Sequence, residues 1–233
     1  MAIKEHSTAP KPTRSTQSSG TKAILAKAPR SQMPTQVKPM LATLVNDAFD
    51  DPDWAFEVKW DGYRAIAYIS KGKAEITSRN VKPFTEKYYP IADALQQLPF
   101  SAVLDGEILV IGKDGKANFG ALQTWRSEAD GDLVFYAFDI LWYEGRNLME
   151  LPLADRQKLL AEVLPNNDDR IRLSRVFDAN GLDFFAAAGK MGLEGIMAKK
   201  KSSTYSPGGR SRQLAQDQGE PPPGSGHRRL YQQ

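Results

Sequence analysis

The run Phe56-Glu57-Val58-Lys59-Trp60-Asp61-Gly62-Tyr63-Arg64 gathers a lysine, two carboxylates, a glycine and an arginine in one short stretch. A primary amine in such company suits attack on the phosphorus of a nucleoside triphosphate, with the nucleotide then carried as a covalent phosphoramide. The attack needs a neutral amine. A free lysine titrates near ~10.4, so roughly one in two thousand is unprotonated at pH 7. Neighbouring cations raise that fraction, and the candidates are Arg64, Lys199 and a bound Mg²⁺. Asp61 acts the other way, which assigns it to a later step. Lys-x-Asp-Gly is also ordinary composition for a surface turn, so the rest of the chain must decide.

The lysine follows a strand-like segment, Trp54 to Lys59, and other strand patterns come after it. Tyr63 to Ser70 and Lys73 to Ser78 are joined by a Lys71-Gly72 turn, and Ala102 to Ile111 and Leu133 to Leu141 follow. In a strand Glu57 and Lys59 share a face. Helical spacing predicts helices over Tyr89 to Leu98, ended by Pro99, over Leu153 to Val163 after Pro152, and over Gly181 to Met191 with Leu182, Phe184 and Phe185 inward. Hairpin strands interrupted by helices predict an α+β fold rather than a doubly wound parallel sheet.

Composition narrows the chemistry. The chain has 233 residues, 41% of them hydrophobic, which supports a real core. With no cysteine, disulfides and thiolate metal sites are excluded. The two histidines, His6 and His227, sit in polar terminal segments, so any metal would be a hard cation held by carboxylates and phosphates. No apolar run spans a bilayer and no signal-peptide pattern opens the chain, so a cytoplasmic location is expected. The net charge of +3 says little about nucleic acid, but Lys199, Lys200, Lys201, Arg210 and Arg212 cluster. Such a cluster is either a set of phosphate contacts or a solvated loop.

Further segments stand downstream in a definite order: Thr77-Ser78-Arg79-Asn80, Leu104-Asp105-Gly106-Glu107, Tyr136-Ala137-Phe138-Asp139-Ile140-Leu141, and Leu193-Glu194-Gly195-Ile196-Met197-Ala198-Lys199. Taken singly, Glu107 and Glu194 read as strand-end ion pairs, Phe138 as core, and Arg64 and Arg79 as surface charges. Taken together with the Lys59 motif, they resemble the covalent nucleotidyltransferases. The match, over roughly residues 38 to 212, is closest to the ligase domain of bacterial multifunctional end-joining DNA ligases.

That resemblance implies a nucleotidyltransferase (adenylation) fold of two antiparallel β-sheets with flanking helices, normally followed by a small OB-type barrel. It implies that Lys59 takes AMP from ATP and that Asp61 assists the nick 3′-hydroxyl in sealing. Glu57 would accept a bond from the adenine amino group, Phe138 would stack the adenine, and Arg64 and Lys199 would contact ribose and phosphate. Glu107 would lie at the ribose and metal, Glu194 would hold Mg²⁺ or Mn²⁺, and Arg79 would touch the nick 5′-phosphate. Nicked or broken double-stranded DNA is then the substrate and end-joining proteins the expected partners, with no membrane and a monomeric state. Two rivals stay open: an RNA ligase or capping-type enzyme, and a non-catalytic fragment that binds nucleotide or DNA.

The organisation expected is a disordered tail or linker over residues 1–35, the catalytic domain over 36–212, and an unrelated disordered tail over 213–233. After Arg212 the family pattern would continue with an aromatic-Leu-Lys-x-Lys strand whose lysines grip the α-phosphate. The chain instead reads Gln213-Leu214-Ala215-Gln216-Asp217-Gln218. Codons for those residues, read one base later, can also encode Asn-Trp-Leu-Lys-Ile-Lys. The same shift allows codons for His227-Arg228-Arg229-Leu230-Tyr231 to encode Ile-Gly-Gly-Phe-Thr. A one-base frame change near Arg212 accounts for both; a divergent natural terminus is the alternative. Without the two lysines and the barrel, self-adenylation is expected to be weak or absent.

Overall fold

The computed structural model describes residues 18–44, 49–70, 72–112, 115–165, 168–177 and 180–218, with side chains undescribed at 44 and 211–218. His6, His227, Lys71 and the tail beyond 218 lie outside these residues. Two sheets carry the fold. The larger contains β3 (Tyr63–Ser70), β4 (Lys73–Ser78), β5 (Ala102–Ile111), β6 (Asp132–Tyr143) and β7 (Arg146–Asn147) in the order β4-β3-β5-β6-β7, and β8 (Ile171–Leu173) pairs with β6. The smaller contains β1 (Leu41–Leu44), β2 (Trp54–Val58), β9 (Val176–Phe177), β10 (Gly195–Lys200) and β11 (Arg210–Gln218) in the order β1-β11-β10-β2-β9. Pairing is antiparallel except for β1 with β11 and β6 with β8. Helices α1 (Ser19–Lys27), α2 (Tyr89–Leu95), α3 (Phe119–Thr124), α4 (Leu153–Val163) and α5 (Gly181–Lys190) flank the sheets.

The larger sheet is buried on both faces, and the two-residue side-chain period sorts each strand between two cores. Ala65, Ala67 and Ile69 of β3 face the main cluster with Leu104, Ile108 and Phe135, while Ile66 and Tyr68 face a second cluster with Val103, Leu141 and Trp142. The smaller sheet uses one face only. Phe56, Ile196 and Ala198 pack under Ala188 of α5, with Phe49, Phe184 and Phe185 around them. The alternate residues, Glu57 on β2 and Met197 and Lys199 on β10, therefore face the opposite side, and Glu57 stands directly across from Met197.

Three findings depart from the sequence reading. Residues 19–27, expected within a tail, form α1, capped by the Ser18 hydroxyl accepting from the Thr21 amide. This helix lies on α4: Ser18 and Thr21 bond Glu162, and Lys27 pairs with Asp155. The Ala/Thr/Ser/Lys composition hides it, although Ile24 and Ala28 are buried in the main cluster with Leu25 against it, so a short apolar stripe and the contacts with α4 both hold the helix. Residues 213–218, expected in a disordered tail, continue β11 beside β10, with Leu214 opposite Lys199 and Gln216 opposite Met197. Backbone pairing with β10 suffices for that, since ladder hydrogen bonds do not depend on side-chain identity. Leu182 is 52% exposed rather than inward, since Asn180 caps α5 at that turn and directs it outward.

Candidate active site

A cavity of 870 Å³ opens between the two sheets, and every residue singled out from the sequence lines it: Glu57, Lys59, Asp61, Arg64, Arg79, Glu107, Phe138, Glu194 and Lys199. The smaller sheet supplies Glu57, Lys59, Glu194 and Lys199 from β2, β10 and their ends. The larger sheet supplies Arg64 from β3, Glu107 from β5 and Phe138 from β6, with Arg79 just past β4.

Glycine lets the two sheets approach. A Cβ on Gly62 would come within 2.3 Å of the Ile108 carbonyl oxygen, so the loop after Lys59 can cross β5 only with hydrogen at that position. Arg79 lies within a tight turn in which the Ser78 carbonyl accepts from the Val81 amide, and Val81 holds φ at 59°, a costly conformation for a β-branched residue.

Phe138 reaches the cavity through a β-bulge. Gly106 pairs with Ala137 and Asp105 with Asp139, so Phe138 is the extra residue on β6. Strict alternation would send Phe138 and Asp139 to opposite faces. The bulge lets both line the cavity.

Four of the cations lining the cavity each meet a carboxylate. Lys59 Nζ lies 2.6 Å from Glu194 Oε1. The Arg64 guanidinium donates to both oxygens of Asp105, at 2.6 and 2.7 Å. Lys199 Nζ is 2.8 Å from Glu57 Oε1. Arg156 of α4 donates to both oxygens of Asp139, at 2.8 and 2.9 Å, and to the carbonyls of Leu151 and Ser203. Arg64 and Lys199 are thus held by Asp105 and Glu57, and the partner of Lys59 is an acid. Two members of the basic cluster line the cavity: Lys199, which is buried, and Arg210, which donates to the Ala42 carbonyl on β1.

Burial and pairing set the protonation of these groups. Burial opposes charge on Arg64, but Asp105 outweighs it and holds the guanidinium firmly protonated. Burial raises the Tyr205 phenol, reinforced by Asp105, whose Oδ2 accepts the Tyr205 hydroxyl at 2.6 Å. Glu57 is raised by burial and partly restored by Lys199. Glu107 is pushed up to about 8, chiefly by burial; Arg64 opposes this while Asp105, Glu194 and Asp61 add to it.

Phe138 carries Arg64 4.4 Å and Lys199 4.3 Å from its ring centroid. One ammonium, Lys199, therefore rests on both the carboxylate and the ring that the sequence reading assigned to adenine.

Asp105, Asp139, Arg156, Gln157, Ser174 and Tyr205 were not among the residues chosen from sequence, yet each bonds a residue lining the cavity. Asp105 and Asp139 were visible as acids inside apolar strands, where an unpaired charge is costly. The others carried no local signal.

The family model for the ATP dependent DNA ligase domain matches residues 39–216. The chain belongs to the ATP-dependent DNA ligase domain family. Its ligase domain is 34% identical over 179 residues to the multifunctional non-homologous end joining protein LigD of Pseudomonas aeruginosa, covering 76% of this chain and 21% of that protein. Against LigD of Mycolicibacterium smegmatis the figures are 36% over 190 residues, 81% and 24%. The chain thus spans about a quarter or less of these relatives. Among solved structures, mycobacterial DNA ligase D complexed with ATP and MES superposes with a TM-score of 0.70 at 34% identity, covering 78% of this chain and 60% of that one. The ligase domain of LigD from M. tuberculosis gives 0.69 at 33%. These neighbours share the two-sheet fold.

Proposed function

We propose that this domain adenylates itself on Lys59 and passes AMP to nicked or broken DNA. The observation that carries the proposal is the convergence of Lys59, Asp61, Arg64, Glu107, Phe138, Glu194 and Lys199 on one cavity between two sheets. Lys59 Nζ attacks the α-phosphorus of ATP, the bond to the bridging oxygen breaks, and pyrophosphate leaves. AMP then moves to the 5′-phosphate, and the 3′-hydroxyl, aided by Asp61, displaces AMP and seals the strand. Glu194 Oε1, 2.6 Å from Lys59 Nζ, is placed to take the proton that the nucleophile must lose.

The nucleobase takes the place of the Lys199 ammonium, with its amino group on Glu57 and its ring on Phe138. Lys199 moves to the phosphates. Arg64, held by Asp105, offers its remaining donors to ribose or phosphate. Arg79 meets the nick 5′-phosphate.

Among the described residues no three His, Asp or Glu side chains are grouped to hold a metal. Glu107, pushed up to about 8 chiefly by burial with the acids Asp105, Glu194 and Asp61 adding to it, fits a hard cation that takes few protein ligands and several phosphate oxygens. Glu107 and Glu194 would hold Mg²⁺ or Mn²⁺, which when bound neutralises charge on the triphosphate. The LigD relatives support a role in end joining, with end-joining proteins as partners. Among the described residues no helix is long and apolar enough to cross a membrane.

A second reading is favoured by one observation. Gln216, opposite Met197 in the register, and Gln218, opposite Gly195, stand where the shifted frame would encode lysines. A domain without them binds nucleotide or DNA and transfers little. Incubation with α-labelled ATP and Mg²⁺ separates the two: label that stays on the protein and vanishes in Lys59→Ala supports ligase chemistry, whereas ATP binding without label supports the second reading. Labelling by GTP instead would point to capping chemistry, and sealing of nicked RNA to an RNA ligase.

A further inference from the structure

Glu57 is 2% exposed and is held from behind as well as from the cavity. Gln157, on α4, donates Nε2 to Glu57 Oε1 at 2.7 Å. Ser174, between β8 and β9, donates its hydroxyl to Oε2 at 3.3 Å, and that hydroxyl itself accepts from Trp60 Nε1 at 3.2 Å. The hydroxyl proton is therefore directed at Glu57. Lys199 completes the set. Gln157 follows Arg156 directly in the chain, and Arg156 is pinned by Asp139 and two carbonyls, so the backbone that presents the amide is fixed. Gln157 does not line the cavity.

A carboxylate offers about four lone-pair sites, and three are occupied. The occupants differ in permanence. Under the proposed function, on which this inference rests, Lys199 leaves for the phosphates. Glu57 then keeps only Gln157 and Ser174 against the cost of burial. A carboxylate that stays an acceptor favours a base with an amino group at position 6. A carboxyl that takes up a proton also serves a base with an oxo group there, and discrimination is lost.

We propose that Gln157 is a positioning residue for base selection, holding Glu57 as an oriented acceptor so that the cavity prefers 6-aminopurine over 6-oxopurine nucleotides. It acts through Glu57 and touches no nucleotide.

The test is calorimetric affinity of the whole chain for ATP and for GTP. In Gln157→Leu, ATP is expected to weaken about tenfold while GTP changes less than about twofold, since a hydrogen bond to a charged group is lost only where that group is used. Gln157→Asn, whose amide falls short by one methylene, should reproduce the loss of selectivity, and serves if the leucine variant does not fold. An unchanged ATP-to-GTP ratio in a folded variant overturns the proposal, as does equal weakening of both nucleotides. Glu57→Ala separates the layers. If it abolishes selectivity while Gln157→Leu does not, only the role of Gln157 fails. If Glu57→Ala leaves selectivity intact, or if the unsubstituted chain binds no ATP, the placement of the base on Glu57 fails first.

Discussion

Arg156–Asp139 and Lys59–Glu194 are both cation–carboxylate pairs on one cavity, and they are built for opposite ends. The first joins side chains only 2% and 7% exposed, through two parallel hydrogen bonds, with two carbonyls taking further guanidinium protons. The second is a single contact between side chains 12% and 28% exposed. Removing one partner of the first strands a buried charge. Removing one partner of the second leaves a group that water can reach. An over-determined pair is scaffold; an under-determined one can open for a ligand.

Four substitutions probe that contrast. The largest effect is expected for Asp139→Ala, which leaves Arg156 buried and unpaired and should cost about 3–5 kcal/mol in urea unfolding. Lys59→Ala should cost under about 1 kcal/mol in the same experiment while eliminating covalent label. Equal destabilisation by the two would erase the distinction.

Glu107 comes next. Its carboxyl titrates near 8 when folded, above the ordinary carboxylate range, so the folded state holds the extra proton. Its contribution to stability is full below about pH 4, where both states are protonated, and is lost as pH rises through about 8. Glu107→Gln should therefore melt like the parent near pH 5 and several degrees higher near pH 9. Identical melting across that range would mean that Glu107 is as solvated as the Glu194 end of the cavity. The smallest effect belongs to Lys27–Asp155, whose lysine is 61% exposed; Lys27→Ala should shift stability by less than about 0.5 kcal/mol by thermal melting.

Legibility in the sequence follows the range of the interactions. Tyr63–Ser70, Lys73–Ser78, Ala102–Ile111 and Leu153–Val163 form over the bounds read from pattern alone, because alternation, helical spacing, Gly72 and Pro152 act locally. Helix α1 was invisible because its partners, Glu162 and Asp155, lie more than a hundred positions away. The cavity-lining residues were legible as a set only because their order matched a family pattern. Their partners were not: Glu57 meets Gln157 and Ser174, and Asp105 meets Tyr205, only after the sheets close. The bulge at Phe138 left no trace either, since Phe-Asp within an apolar strand reads as simple alternation until the pairing with β5 is known.

The Met40 amide donates to the Tyr205 hydroxyl, which donates to Asp105, which holds Arg64. The Val37 amide similarly donates to the Tyr68 hydroxyl. The boundary of a minimal transferable unit is thus set by hydrogen bonding rather than by the first strand. A shortened version beginning at β1 would keep every residue of the candidate chemistry and still lose the main-chain donors that anchor Tyr205 and Tyr68. Anyone grafting this cavity onto another protein would have to bring the approach to β1 with it.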